Sequence, residues 1–152
     1  MSNSTQLEFA LWVLFAMALG AVVGLQREFR GHEAGIRTAG LVCGGAAVFG
    51  RLSELYGGDG RIAASVVQGI GFLGAGLILH REHGLRGVTT AATIWVVAGL
   101  GLVVSLELWL TALVLTAAYV AFLELAPVSG WIYSRGSGRR HIDARESAED
   151  DG

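Results

Sequence analysis

The 152-residue sequence contains no lysine, one cysteine, one proline and few charges of either sign. All positive charge therefore rests on arginine. A net charge of −2 with 16% charged residues offers no basic surface, so no nucleic-acid partner is expected. The single cysteine, Cys43, excludes an intrachain disulfide and a cysteine-cluster metal site. In its apolar stretch it reads as a small buried hydrophobe, with a reactive thiol as the alternative. The lone proline, Pro127, falls where the last apolar run ends and stops the helix there. Residues 1–8 hold no arginine, so the positive start of a secretory signal peptide is missing and the first apolar run reads as a span that stays. No triad, phosphate loop or catalytic carboxylate pair is visible. Nothing argues for an enzyme or requires a cofactor.

What the sequence has is hydrophobicity, at 53% of residues, and 23 glycines. A soluble domain of this length has too small an interior to hide so much apolar surface. In lipid, by contrast, glycine lets helix backbones approach closely. Five apolar runs stand out, at 9–25, 38–50 (extending toward Leu55), 62–79, 89–105 and 108–125. A crossing takes about 17–25 residues, so the second run is the weak one. It ends in Arg51 and Glu54, and a re-entrant segment competes with a full span there.

Arginine placement separates the two readings. With five spans and the N-terminus outside, Arg27, Arg30, Arg37, Arg81, Arg86, Arg135, Arg139, Arg140 and Arg145 lie inside, against Arg51 and Arg61 outside. If the second run does not cross, the bias disappears. The positive-inside rule therefore favours an all-α, polytopic bundle of about five transmembrane helices, N-terminus out and C-terminus in. The expected divisions are a short outer N-terminus (1–8), a transmembrane domain (9–126) and a disordered cytoplasmic tail (127–152). The tail arginines are suited to anionic lipid headgroups. Trp12 and Trp109 fit the outer interface, and Trp131 and Tyr133 the inner one; Trp95 lies well inside the fourth span.

An internal repeat organises the spans. Leu19-Gly20-Ala21, Leu25 and Arg27-Glu28 match Leu73-Gly74-Ala75, Leu79 and Arg81-Glu82 at one offset. The following spans open alike, from Gly35 to Gly40 and from Gly87 to Ala92, with Thr38 against Thr90 beside Arg37 and Thr89. This reads as two parallel helix-hairpin repeats plus one helix; the alternative is chance similarity among Leu-, Gly- and Ala-rich helices. If the repeat is real, Arg27, Glu28, Arg37, Thr38, Arg81, Glu82, Thr89 and Thr90 gather at the cytoplasmic end, where helix N-termini direct free N–H groups.

Each motif also has a plainer explanation. Gly69-x-Gly71-x-x-Gly74 matches the dinucleotide fingerprint by letter, but that fingerprint needs a strand before it and a helix after it, not the interior of an apolar run. A small-residue groove continuing through Gly76 is the better reading, and Gly20/Gly24 and Gly40/Gly44 have the same use in helix packing. Packing within the chain and between subunits of a homo-oligomer both remain open. The Arg-Glu pairs are ordinary stop signals, or else an ion-pair network or part of an ion or partner site. Glu28 and Glu82 offer oxygen to Mg2+, but the adjoining arginines weaken a cation site. Gln68, the one large polar side chain inside span three, is expected to find an interhelical hydrogen bond, with a transport ligand as the alternative. His80-x-x-His83 has metal-pair spacing without an evident third ligand, so no metal site is assigned from the sequence.

At Gly24-Leu25-Gln26-Arg27-Glu28 and Ala34-Gly35-Ile36-Arg37-Thr38 the sequence resembles the MgtC/SapB family of prokaryotic membrane proteins. Arg61-Ile62-Ala63-Ala64 leading to the segment from Gly69 to Gly76, and Val88-Thr89-Thr90-Ala91-Ala92-Thr93-Ile94-Trp95, are similar to its later motifs. The resemblance covers residues 10 to 125. It implies a multi-pass protein of the cytoplasmic membrane linked to magnesium homeostasis. It further implies action on partner complexes, the membrane ATP synthase among them, with a small transporter or channel for Mg2+ or another ion as the alternative. It draws attention to Arg27, Glu28, Arg37, Thr38, Gln68, Thr89, Thr90 and Trp95. Gln26 stands where many members have Glu, and a short tail stands where longer members carry a folded cytoplasmic domain.

Overall fold

The computed structural model describes residues 3–58, 60–81 and 84–125, with the side chains of 79–85 excepted. Pro127, Trp131, Tyr133 and the tail lie outside the described residues, as do Glu82 and His83. The elements are α1 (Asn3–Phe29), α2 (Ile36–Leu55), α3 (Arg61–Leu77), strands β1 (Leu79–Arg81) and β2 (Gly84–Arg86), α4 (Val88–Ser105) and α5 (Trp109–Leu123). Contacts divide the chain into one unit through Val120 and a second from Ala121, of which only the end of α5 and the two residues after it are described.

Five helices correspond to the five apolar runs. The antiparallel β1–β2 pair, with His80 opposite Leu85, departs from the all-α expectation. It closes the loop between α3 and α4 and ends α3 two residues before the expected boundary. Helices α1 and α4 are long and apolar enough to cross a membrane, while α3 and α5 are apolar but shorter, at 17 and 15 residues. The weak second run forms one unbroken helix of 20 residues, about 30 Å long at 1.5 Å per residue. Its polar end stays helical because it meets protein: Arg51 pairs with Glu107 at 3.0 Å, and Gly50 and Ser53 are buried.

Glycine sets how the helices cross. A methyl group added at Gly20 would lie 2.6 Å from the Cβ of Cys43 and 2.5 Å from the Ala39 carbonyl oxygen. At Gly24 it would meet the Gly35 oxygen at 2.6 Å. Helices α1 and α2 are therefore an antiparallel hairpin in near backbone contact. Gly101 of α4 presses on the other side of α2, against the Cys43 carbonyl, with Ala46 Cβ at 2.9 Å from its added methyl. Cys43, Ile94, Val97, Leu100 and Val104 form the fully buried centre.

The second hairpin uses equivalent positions. Gly74, the counterpart of Gly20, packs on Ala91, the counterpart of Ala39, with 3.6 Å to the added methyl. Gly87, the counterpart of Gly35, lies over Leu77 and Ile78 with φ +88, a conformation glycine adopts without strain. Only Gly74 is buried in α3. Gly69, Gly71 and Gly76 meet no neighbour within 4 Å among the described residues, so the expected single groove is not formed. At about 100° per residue, Gly69 and Gly71 point roughly 200° apart and cannot share one face.

Ser and Thr hydroxyls inside the helices bond back to their own backbones: Thr93 to Thr89 O and Thr116 to Ala112 O, both at 2.8 Å, and Ser65 to Arg61 O at 2.9 Å. The packing makes a graded prediction. Gly20→Ala should destabilise by about 1–3 kcal/mol through overpacking against backbone, whereas Gly99→Ala, with open space around it, should leave thermal unfolding in detergent unchanged.

Candidate functional site

The end of α1 begins the site. Gly31, at φ +67, caps the helix in a Schellman arrangement: the His32 N–H donates to Arg27 O at 3.0 Å and the Gly31 N–H to Glu28 O at 3.0 Å. The chain then returns through Ala34, at φ 61, to start α2 against Gly24. Glu28, exposed, reaches across this turn and accepts the Ile36 N–H at 3.0 Å. A carboxylate there satisfies one orphan donor of α2 and complements the positive helix N-terminus.

Arg27 points the other way. Its side chain is 3% exposed, and Nη2 donates to Thr90 Oγ1 at 2.6 Å, joining the end of α1 to the first turn of α4. Thr90 is itself buried and Gln26 is buried beside Arg27. Arg27 Nε is buried without a hydrogen-bond partner among the described residues. A guanidinium so placed is costly unless its donors are met, and a neutral hydroxyl satisfies one donor without neutralising the charge.

Beside this link a cleft of about 190 Å³ opens between Gly31, His32, Glu33, Leu77, Arg86, Gly87 and Thr90. Partial burial and the positive charge of Arg27 push the His32 imidazole below its ordinary range, against a backbone hydrogen bond at Arg30 that raises it; the Arg30 charge adds to the lowering. Burial and the arginine charges thus favour the neutral form of the His32 imidazole. The charged lining of the cleft is of both signs, with Glu33 and Arg86. Among the described residues no group of three or more His, Cys, Asp or Glu is placed to hold a metal ion.

Residues 13–129 match the model of the MgtC family. The chain belongs to the MgtC family. It is 47% identical over 110 residues to Protein MgtC of Salmonella typhimurium, covering 71% of this chain and 48% of that one. To Protein MgtC of Brucella abortus it is 44% identical over 109 residues, covering 70% and 46%. To an uncharacterized protein of Haemophilus influenzae it is 34% identical over 142 residues, covering 84% and 60%. The chain spans about half the length of the MgtC proteins it matches. No solved structure matches it.

Within this MgtC-family region, the structure brings some of the expected site residues together and separates others. Arg27 and Thr90 meet, and Glu28 meets the start of α2. Arg37, Thr38 and Thr89 are exposed on the first turns of α2 and α4. Arg81 sits in β1, with its side chain outside the described residues, as is Glu82. The repeat therefore diverges here: the first hairpin carries Arg27 on a continuous helix, while the second has already become a strand at Arg81. Gln68 does not make the expected interhelical bond; it is exposed on α3, with no hydrogen-bond partner among the described residues. Trp95 is 54% exposed, on the outer side of α4. Gly40 and Gly44 face Met17 of α1.

Sequence reasoning missed His32, Glu33 and Arg86 as neighbours, and the Arg51–Glu107 pair. Loop residues carry no periodicity to reveal them. Thr90→Val keeps the shape of the site but removes the acceptor for a buried cation, which should cost about 1.5–3 kcal/mol. Thr90→Ser should retain most of the stability. An Arg27→Met/Thr90→Val pair, measured by thermal unfolding in detergent, should lose less than the sum of the single changes.

Proposed function

We propose that this MgtC-family chain is a multi-pass protein of a prokaryotic cytoplasmic membrane, with five spans and its N-terminus outside. It has no chemistry of its own and acts within magnesium homeostasis by binding another membrane complex, for which the ATP synthase is the named candidate. The reading draws on family membership, on the arginine bias and on the length and apolar character of the helices.

The observation that carries the partner-binding part is Gln68. It stands mid-helix in α3 on the face that also presents Gly71 and Phe72, the latter 83% exposed. An amide in hydrocarbon has no water to bond, so a neighbouring helix that supplies a polar partner is favoured there. Small residues beside it allow such a helix to come close. The glycines of α1 cannot serve this purpose, because Gly20 and Gly24 are already consumed inside the hairpin.

Transport of Mg2+ or another cation is the second reading. The buried positive charge of Arg27 works against a cation path at that end of the bundle.

Co-purification from crosslinked membranes, with partners identified by mass spectrometry, tests the proposal. Gln68→Leu combined with Phe72→Ala should abolish the association while leaving thermal stability intact. Association that persists in that double variant would count against α3 as the docking face.

A further inference from the structure

A long groove runs between α2 and α3, with a volume of about 640 Å³. Leu41, Phe49, Val66 and Leu73 wall it, and Gly45 and Gly69 open its floor. Arg61 stands at one end, as the first residue of α3. The groove is otherwise almost wholly apolar, with Ser65, whose hydroxyl bonds back to Arg61 O, as the other polar side chain.

We propose that this groove is a binding site for one anionic phospholipid, its acyl chain lying along the groove and its phosphate at Arg61. Three observations select this occupant. From Arg61 to Leu73 the groove follows 12 helical steps, about 18 Å, against about 15 Å for one leaflet of hydrocarbon. Its lining is apolar from Leu41 and Phe49 to Val66 and Leu73, which suits hydrocarbon along the whole length of the groove.

The third observation is charge. Arg61 places a guanidinium where the groove ends, and the first N–H groups of α3 lie at the same point, with Ala64 N–H the first to return to Gly60 O, at 2.8 Å. Cationic side chain and helix N-terminus together favour a phosphate over a neutral headgroup. The arginine-rich end formed by Arg27 and Arg86 is at the opposite pole of α3 and takes no part.

The inference rests on the membrane placement proposed above but not on any partner complex, and its test uses purified protein alone. The full chain in nanodiscs would be exposed to phosphatidylglycerol or phosphatidylcholine carrying a photoreactive group in one acyl chain, and the modified peptides mapped by mass spectrometry. Labelling should concentrate on residues 41–49 and 62–73, with phosphatidylglycerol preferred by about tenfold, the scale of a charge-assisted contact. Arg61→Gln should erase that preference while labelling in the groove continues. Gly69→Leu should remove the groove labelling for both lipids, and Val66→Trp should do the same by filling the groove from its wall. Equal labelling by the two lipids in the unaltered protein would overturn the proposal, as would labelling spread evenly over α1 and α5. Crosslinks between two copies through Val66→Cys would assign the groove to self-association and overturn it equally.

Discussion

Helix α2 has no room on two sides, and the rest of the bundle is built around that constraint. Cys43 lies where Gly20 of α1 and Gly101 of α4 close on it, one against its Cβ and the other against its carbonyl oxygen. Neither glycine could carry a side chain without moving backbone. In lipid, where apolar side chains gain little by leaving their solvent, such close approach is a main source of helix association. It also explains how the helix with the weakest hydrophobic signature is held between two others. Polar Arg51 is tolerated at the end of α2 because the turn after α4 supplies Glu107 to it at 3.0 Å.

The two hairpins share their crossing positions but not their ends. Gly20 on Ala39 and Gly74 on Ala91 are one contact used twice, as are Gly24 with Gly35 and Ile78 with Gly87. Beyond the crossing, α1 continues through Arg27 while α3 stops and the chain forms a short hairpin. Arg27 turns inward onto Thr90 of the other hairpin, while Thr38 is exposed. The buried cation therefore belongs to the junction between the repeats, and its cost is offset only if the junction stays closed.

Much of this was legible in the sequence. Apolar runs and arginine bias pointed to five helices, and the duplicated Leu-Gly-Ala and Arg-Glu spacing pointed to equivalent hairpins. Thr90 stood among the expected polar residues because it opens a helix beside Gly87. The direction of the glycines was not legible. Gly69, Gly71, Gly74 and Gly76 look like one stripe in the sequence, but helical rotation puts Gly69 and Gly76 on one face and Gly71 nearly opposite Gly69, and among the described residues only Gly74 meets a neighbour. Gln68 could be recognised as polar in an apolar run, yet not as outward-facing, since its orientation depends on where α4 packs. The hairpin at 79–86 was hidden because three-residue strands carry too little alternation to be seen.

Graded side-chain insertion at the α1–α2 crossing tests the central claim most directly. A Cβ at Gly20 would lie 2.6 Å from the Cβ of Cys43 and 2.5 Å from Ala39 O, whereas one at Gly71 meets nothing within 4 Å among the described residues. Gly20→Val should lower the thermal unfolding midpoint in detergent clearly, whereas Gly71→Val on the open face of α3 should leave it nearly unchanged. An unchanged midpoint for Gly20→Val, or equal losses at both positions, would contradict the placement of α2 against α1.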